Sequence, residues 1–154
     1  VVVMDLSGAS RAVQRRLVAL ASAIVVVTTP LLTALRNTRT YVNDIKTTRS
    51  DLKDVELLIN MQGQAGSEEV SEKDIETALE LKPAAKIPYV PKVFVASESA
   101  GKPVIQNAAA ASLVASLISL AGRVTGVIPK GDLLDTAKKG KAAGLFKKIK
   151  GGKE

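Results

Sequence analysis

Hydrophobic positions along the chain fall into short β-branched runs separated by stretches with helical spacing. VVVM (1–4) leads into DLSG, which reads as a buried strand ending in an acid and a small polar turn. Residues Ala9 to Ala21 follow with Ala12, Val13, Leu17, Leu20 and Ala21 at helical spacing and Arg11, Arg15 and Arg16 opposite, so an amphipathic helix is expected with the apolar set inward. AIVVVTTP (23–30) predicts a second strand stopped by Pro30, and the next helix has Leu31, Leu35, Thr38 and Val42 inward and Arg36, Arg39 and Lys46 outward.

The polar stretch TTRSDLKD leads to VELLIN (55–60), a third strand, and MQGQAGSEEV reads as a surface loop. SEKDIETALE predicts a helix with Ser71 as N-cap, three residues before Asp74. AAKIPYV (84–90) predicts a short fourth strand interrupted by Pro88. PKVFVASESAGKPV reads as a connection with a short helix and a turn at Gly101, and a long helix is expected from Ile105 to Arg123 before Gly126, Pro129 and Gly131 break the pattern. Strands alternating with helices imply βαβ units, and hence an α/β fold with a mainly parallel sheet and helices on both faces. No internal repeat is present.

Composition narrows the chemistry. Aromatic residues are 3% against 46% hydrophobic, so the core must be built from Val, Leu, Ile and Ala, and base stacking has little to work with. With no Cys and no His, disulfides, Cys/His zinc sites, thiol nucleophiles and Ser-His-Asp arrangements are excluded for this sequence. No stretch reads as a signal peptide or a spanning helix; the apolar run Ala108 to Ala121 is too short to cross a bilayer and carries serines. The net charge of +7 is concentrated at one end: residues 138–154 hold seven lysines and one acid, a net +6, while the rest of the chain holds 15 bases and 14 acids. A body that is nearly neutral in sum makes nucleic acid an unlikely partner.

Function has to come from the strand ends, where open α/β sheets place their ligands. Each end has a plain reading: Asp5 begins a turn, TTP stops a strand, Asn60 is a turn residue, and Ile87, Pro88, Tyr89 and Val90 form a loop. Taken in order and with their spacings, VVVMDLSG, IVVVTTPLLTALRNTRTYV, LLIN, IPYVPKVFVASESAGKPV and the small-residue helix after it resemble the MinD/ParA superfamily of deviant P-loop ATPases. The TTPLLTALRN and IPYVPKVFVASESAGKP stretches point to its CpaE/TadZ pilus-assembly branch. The resemblance covers residues 1 to about 122.

The resemblance implies a partial P-loop NTPase-like three-layer fold. By the same resemblance Asp5 would lie near the magnesium and attacking water, acting on the metal indirectly, with Ser7 where the motif usually has proline. Asn60 would face the adenine edge, with Met61 where an arginine commonly stands, and Ile87 to Val90 would line the base pocket. The family's Gly-rich, Lys-bearing phosphate loop does not occur: there is neither G-x-x-x-x-G-K-[ST] nor its deviant form, and GKPV (101–104) lacks a preceding strand. The chain therefore reads as the carboxyl-terminal part of a larger ATPase-like protein, with ATP and Mg bound by the intact protein and neither expected to bind this chain tightly. In that family the phosphate-loop strand lies between the first strand and IVVVTTP, so Val1–Met4 is expected either to pair with Ala23–Thr28 or to leave a gap that another copy fills.

Residues 1–128 then form the ATPase-like part and 129–154 a basic tail. In that tail Leu145, Phe146 and Ile149 share a face bordered by Lys147, Lys148 and Lys150. It reads either as a disordered solubilising segment or as an amphipathic segment for an anionic membrane surface, similar to the carboxyl-terminal targeting helix of MinD. The expected function is a pilus-assembly factor positioning a Flp/Tad-type secretion machine at the inner membrane or a cell pole. Self-association and pilus-machinery partners are implied, in a protein that is cytoplasmic or peripheral at the membrane. The alternatives are a ParA-like partitioning ATPase and a MinD-like division regulator.

Overall fold

The computed structural model describes residues 1–127. Eight principal elements run in the order α1 (Arg11–Leu20), β1 (Ile24–Thr28), α2 (Leu32–Arg49), β2 (Val55–Gln62), α3 (Glu72–Leu79), β3 (Pro83–Pro88), α4 (Pro91–Ser99) and α5 (Ala111–Thr125). The class is α/β: a three-strand parallel sheet in the order β1-β2-β3, flanked by helices. The chain divides into two compact units, residues 1–86 and the residues from Ile87 onward.

In the first unit β1 and β2 pair in parallel with Ile24 opposite Val55 and Thr28 opposite Ile59. Side chains alternate across a strand, so Val26 shares a face with Leu57 and Ile59. Leu35, Thr38, Val42 and Ile45 form the buried stripe of α2 at spacings of three and four, and Val42, Ile45, Leu57, Ile75 and Leu79 are the heart of the core. The long helix ends where Ser50 takes a left-handed conformation (φ 68°), its N–H returning to the Lys46 carbonyl. β2 is the central strand, which is why VELLI is a nearly continuous apolar run rather than an alternating one. On α3 the Ser71 side chain accepts from Asp74 N–H and donates to its carboxylate at 2.6 Å, as the sequence leads one to expect. The carboxylate of Glu80, just past this helix, meets Lys46 at 2.8 Å; the ammonium lowers its pKa.

Three expectations need correction. Val1–Met4 is not a strand: residues 1–6 belong to no element, and Val1, Val2 and Val3 are exposed at 102, 84 and 89%. β-branched residues favour extended chain, but a strand exists only with a ladder partner, and the turn at Asp5–Ser7 directs the chain straight into α1. Among the described residues the sheet consequently has three strands rather than four, and β1 is an edge.

Helix α1 forms where expected but is rotated about its axis. Val18 is its buried residue, while Val13 and Leu20, which the pattern places inward, are 48 and 75% exposed. Polar contacts to α2 set this orientation. Arg15 pairs with Asp44 at 3.4 Å, and the Arg49 guanidinium donates to the carbonyls of Val18 and Ala21 and pairs with Asp54 at 3.5 Å. Arg49 thus satisfies two carbonyls at the end of α1 that have no helical partner. Arg49→Ala should destabilise the protein by about 1.5 kcal/mol, read from the urea midpoint, because those carbonyls lose a charge-assisted donor in a partly buried setting.

In the second unit α4 starts with Pro91 at its first position, and the chain turns at Gly101 (φ 60°). The last helix begins at Ala111, six residues later than Ile105. Asn107 is the reason: its Oδ1 accepts from Ala109 N–H at 3.0 Å and its Nδ2 donates to Ser97 Oγ at 3.1 Å, fixing two short 3₁₀ turns, Val104–Gln106 and Ala108–Ala110. Ala110, Leu113, Val114 and Leu120 are buried in this stretch. Among the described residues no helix is long and apolar enough to cross a membrane.

Candidate functional site

Because β1 and β2 are parallel with Thr28 opposite Ile59, Thr29-Pro30 leave the sheet beside Asn60, the first of three β2 residues that run on past the end of β1 at the carboxyl-terminal edge. This is the edge at which open α/β sheets build sites, since loops from adjacent strands converge there. Thr28 is buried, and its Oγ1 lies 2.8 Å from Thr38 Oγ1, which also bonds the Ala34 carbonyl at 2.9 Å. That hydroxyl pair ties the end of β1 to α2. Asn60 is half-buried and its Oδ1 accepts from Met61 N–H at 2.9 Å, which fixes the side chain against its own strand and leaves one Oδ1 lone pair and the Nδ2 amino group.

The end of β2 and the loop after it are firmly built. Met61 (φ 58°) is left-handed without being glycine, a conformation that carries backbone strain, and Gly63 (φ 89°) and Gly66 (φ 55°) make the next reversals. Glu69 Oε1 accepts from Gly63 N–H at 2.7 Å and from Ala65 N–H at 3.2 Å, closing the loop on itself. Val70 N–H donates to the Pro30 carbonyl at 2.8 Å and joins this loop to the β1–α2 turn. The sequence pattern singles out neither Glu69 nor the Val70–Pro30 bond. The two glycines flag the loop, but which acid closes it depends on the fold.

Asp5 is placed elsewhere. It sits on no strand, is fully exposed, and its Oδ1 accepts from Ser7 N–H at 2.9 Å. The Ser7 backbone and side-chain hydrogen bonds hold its carboxyl below the ordinary 3.8. Because the ionised form favours the turn, its contribution is present above that value and is lost as pH falls through the lower folded one. The structure thus gives Asp5 the turn geometry of its plain reading. A lone carboxylate holds magnesium only with phosphate oxygens supplying other ligands. No phosphate loop is encoded, and among the described residues no group of three metal-ligating side chains occurs.

Of the remaining expected residues, Ile87 is buried, Pro88 is exposed, Tyr89 is 44% exposed and Val90 is half-buried as the residue preceding α4. They lie in the second unit and Asn60 in the first. Leu145, Phe146, Lys147, Lys148 and Ile149 lie outside the described residues. A small cleft between α1 and α2, lined by Arg11, Arg15, Tyr41, Asp44 and Thr48, offers about 10 Å³, room for one water and far too little for a nucleotide. No family model, curated protein or solved structure matches the chain.

Proposed function

We propose that this chain is the ATPase-like body of a pilus-assembly factor of the CpaE/TadZ type, which positions a Flp/Tad-type secretion machine at the inner membrane or a cell pole. The observation that supports the reading is the parallel β1–β2 pair, which delivers TTP and Asn60 to one carboxyl-terminal sheet edge with a built loop beside them. Two of the strand ends that carry the resemblance, TTP and Asn60, therefore share one edge of the sheet. Deleting the gene in its host and counting surface pili by electron microscopy tests the proposal. Loss of pili with mislocalised secretion ATPase is expected; unchanged piliation and localisation would overturn it.

In this reading ATP and Mg act in the intact protein, through a phosphate loop this sequence does not contain. The chain by itself should show no ATP turnover above buffer background in a phosphate-release assay, and Asp5→Ala should leave that value unchanged. Turnover that Asp5→Ala abolishes would contradict it. The same reading includes self-association, for which β1 supplies an open edge.

A further inference from the structure

The rotation of α1 leaves an apolar stripe facing outward. Val13, Leu17 and Leu20 are spaced four and three apart, which places them on one face of the helix. Val18 and Gln14 occupy the side turned to α2. Leu20 is 75% and Val13 48% exposed, and Leu17 is half-buried. The stripe lies in a wholly basic part of the chain: from Leu6 to Asn43 there are five arginines (11, 15, 16, 36, 39) and no acid. Arg16 is exposed and borders the stripe, with Arg11 and Arg15 further round toward α2. Asp44, the first acid beyond, is taken by Arg15.

We infer that this face of α1 docks on an anionic lipid surface, lying in the interfacial plane with Val13, Leu17 and Leu20 dipping below the headgroups. Three features select that occupant. An exposed apolar stripe gains free energy by leaving water for the acyl boundary, and neighbouring cations draw the helix to acidic headgroups. Duplex nucleic acid would use the arginines through its phosphates and leave the apolar stripe without a partner. A twofold contact between two copies of this face would bring the same arginines against one another, since such an interface is self-complementary in position but not in charge. Arginine side chains also carry long apolar stems, so Arg16 can cover part of the stripe's flank while its guanidinium stays at headgroup level. The inference does not depend on the pilus reading, because it concerns how one helix meets a bilayer.

The test is vesicle flotation of the full chain with phosphatidylcholine alone and with phosphatidylglycerol added. Val13→Ser/Leu20→Ser removes the stripe at exposed positions, so the fold should persist, checked by circular dichroism. Leu145→Ser/Phe146→Ser/Ile149→Ser removes the apolar face expected in the lysine-rich part of the tail. Binding that requires phosphatidylglycerol, falls about tenfold in Val13→Ser/Leu20→Ser, and falls several-fold in Arg16→Gln is expected, with the α1 loss also seen in the tail variant's background. Binding unchanged by Val13→Ser/Leu20→Ser, or wholly lost in the tail variant alone, would overturn it. So would retention on duplex DNA with no vesicle binding, or a self-association that Val13→Ser/Leu20→Ser abolishes without lipid.

Discussion

Leu57→Ala should lower the stability of the protein by about 3 kcal/mol, seen as a fall in the urea midpoint with an unchanged slope. Leu57 is completely buried in the central strand, opposite Val26, among the residues of α2 and α3 that form the core. Truncation removes its transfer free energy and leaves a cavity that a ladder-bonded strand cannot close by moving. A loss of that size is a large fraction of the roughly 5–15 kcal/mol by which domains are stable. Val25→Ala, on the neighbouring strand but 38% exposed, is the control and should cost less than about 1 kcal/mol. Equal losses at the two positions would mean that the burial pattern of the sheet is assigned to the wrong face.

That face assignment is legible in the sequence where a residue's neighbours are local or where the run is fully buried. VELLIN reads as a strand, and β2 is one. Leu35, Thr38 and Val42 could only be one helical stripe, and Ser71 with Asp74 could only start a helix. Features decided by long-range partners are not legible there. Val1–Met4 has strand composition, yet among the described residues no strand pairs with it. The apolar set of α1 points inward by pattern, whereas its orientation is set by Arg49 reaching back about thirty residues to the Val18 and Ala21 carbonyls. Asn107 interrupts an otherwise helical run because Ser97 and the Ala109 N–H offer it better partners than water. For the candidate site the same division holds. The sequence pattern ends this strand at Asn60, whereas β2 runs on to Gln62; the Oδ1 bond of Asn60, the strained Met61 and the Glu69 clasp emerge only from the three-dimensional structure.

The largest effect on assembly should come from Val27→Lys. The intrachain alternative, Val1–Met4 laid along β1, is not formed, and among the described residues β1 is the edge of the sheet, with Val25 and Val27 exposed at 38 and 55%. An edge strand of IVVVT presents unpaired N–H and C=O groups on a β-branched, uncharged segment, with no lysine, proline or bulge within it to deter another chain. Association of a second copy along this edge would extend the ladder and at the same time cover Val25 and Val27, so hydrogen bonding and apolar burial act together. The intact chain should therefore show a concentration-dependent rise in mass by sedimentation across a tenfold range. Val27→Lys places a charge in the middle of the exposed side of the strand, where its burial would cost several kcal/mol, and should weaken self-association about a hundredfold. Val27→Thr keeps the β-branch and adds no charge, so it should retain most of the association. Circular dichroism should be unchanged in both variants, because Val27 points away from the core that holds Val26. A wild-type chain that stays a single monomeric species over the whole range would show that the open edge of β1 is insufficient to recruit a partner, and the self-association reading would fall with it.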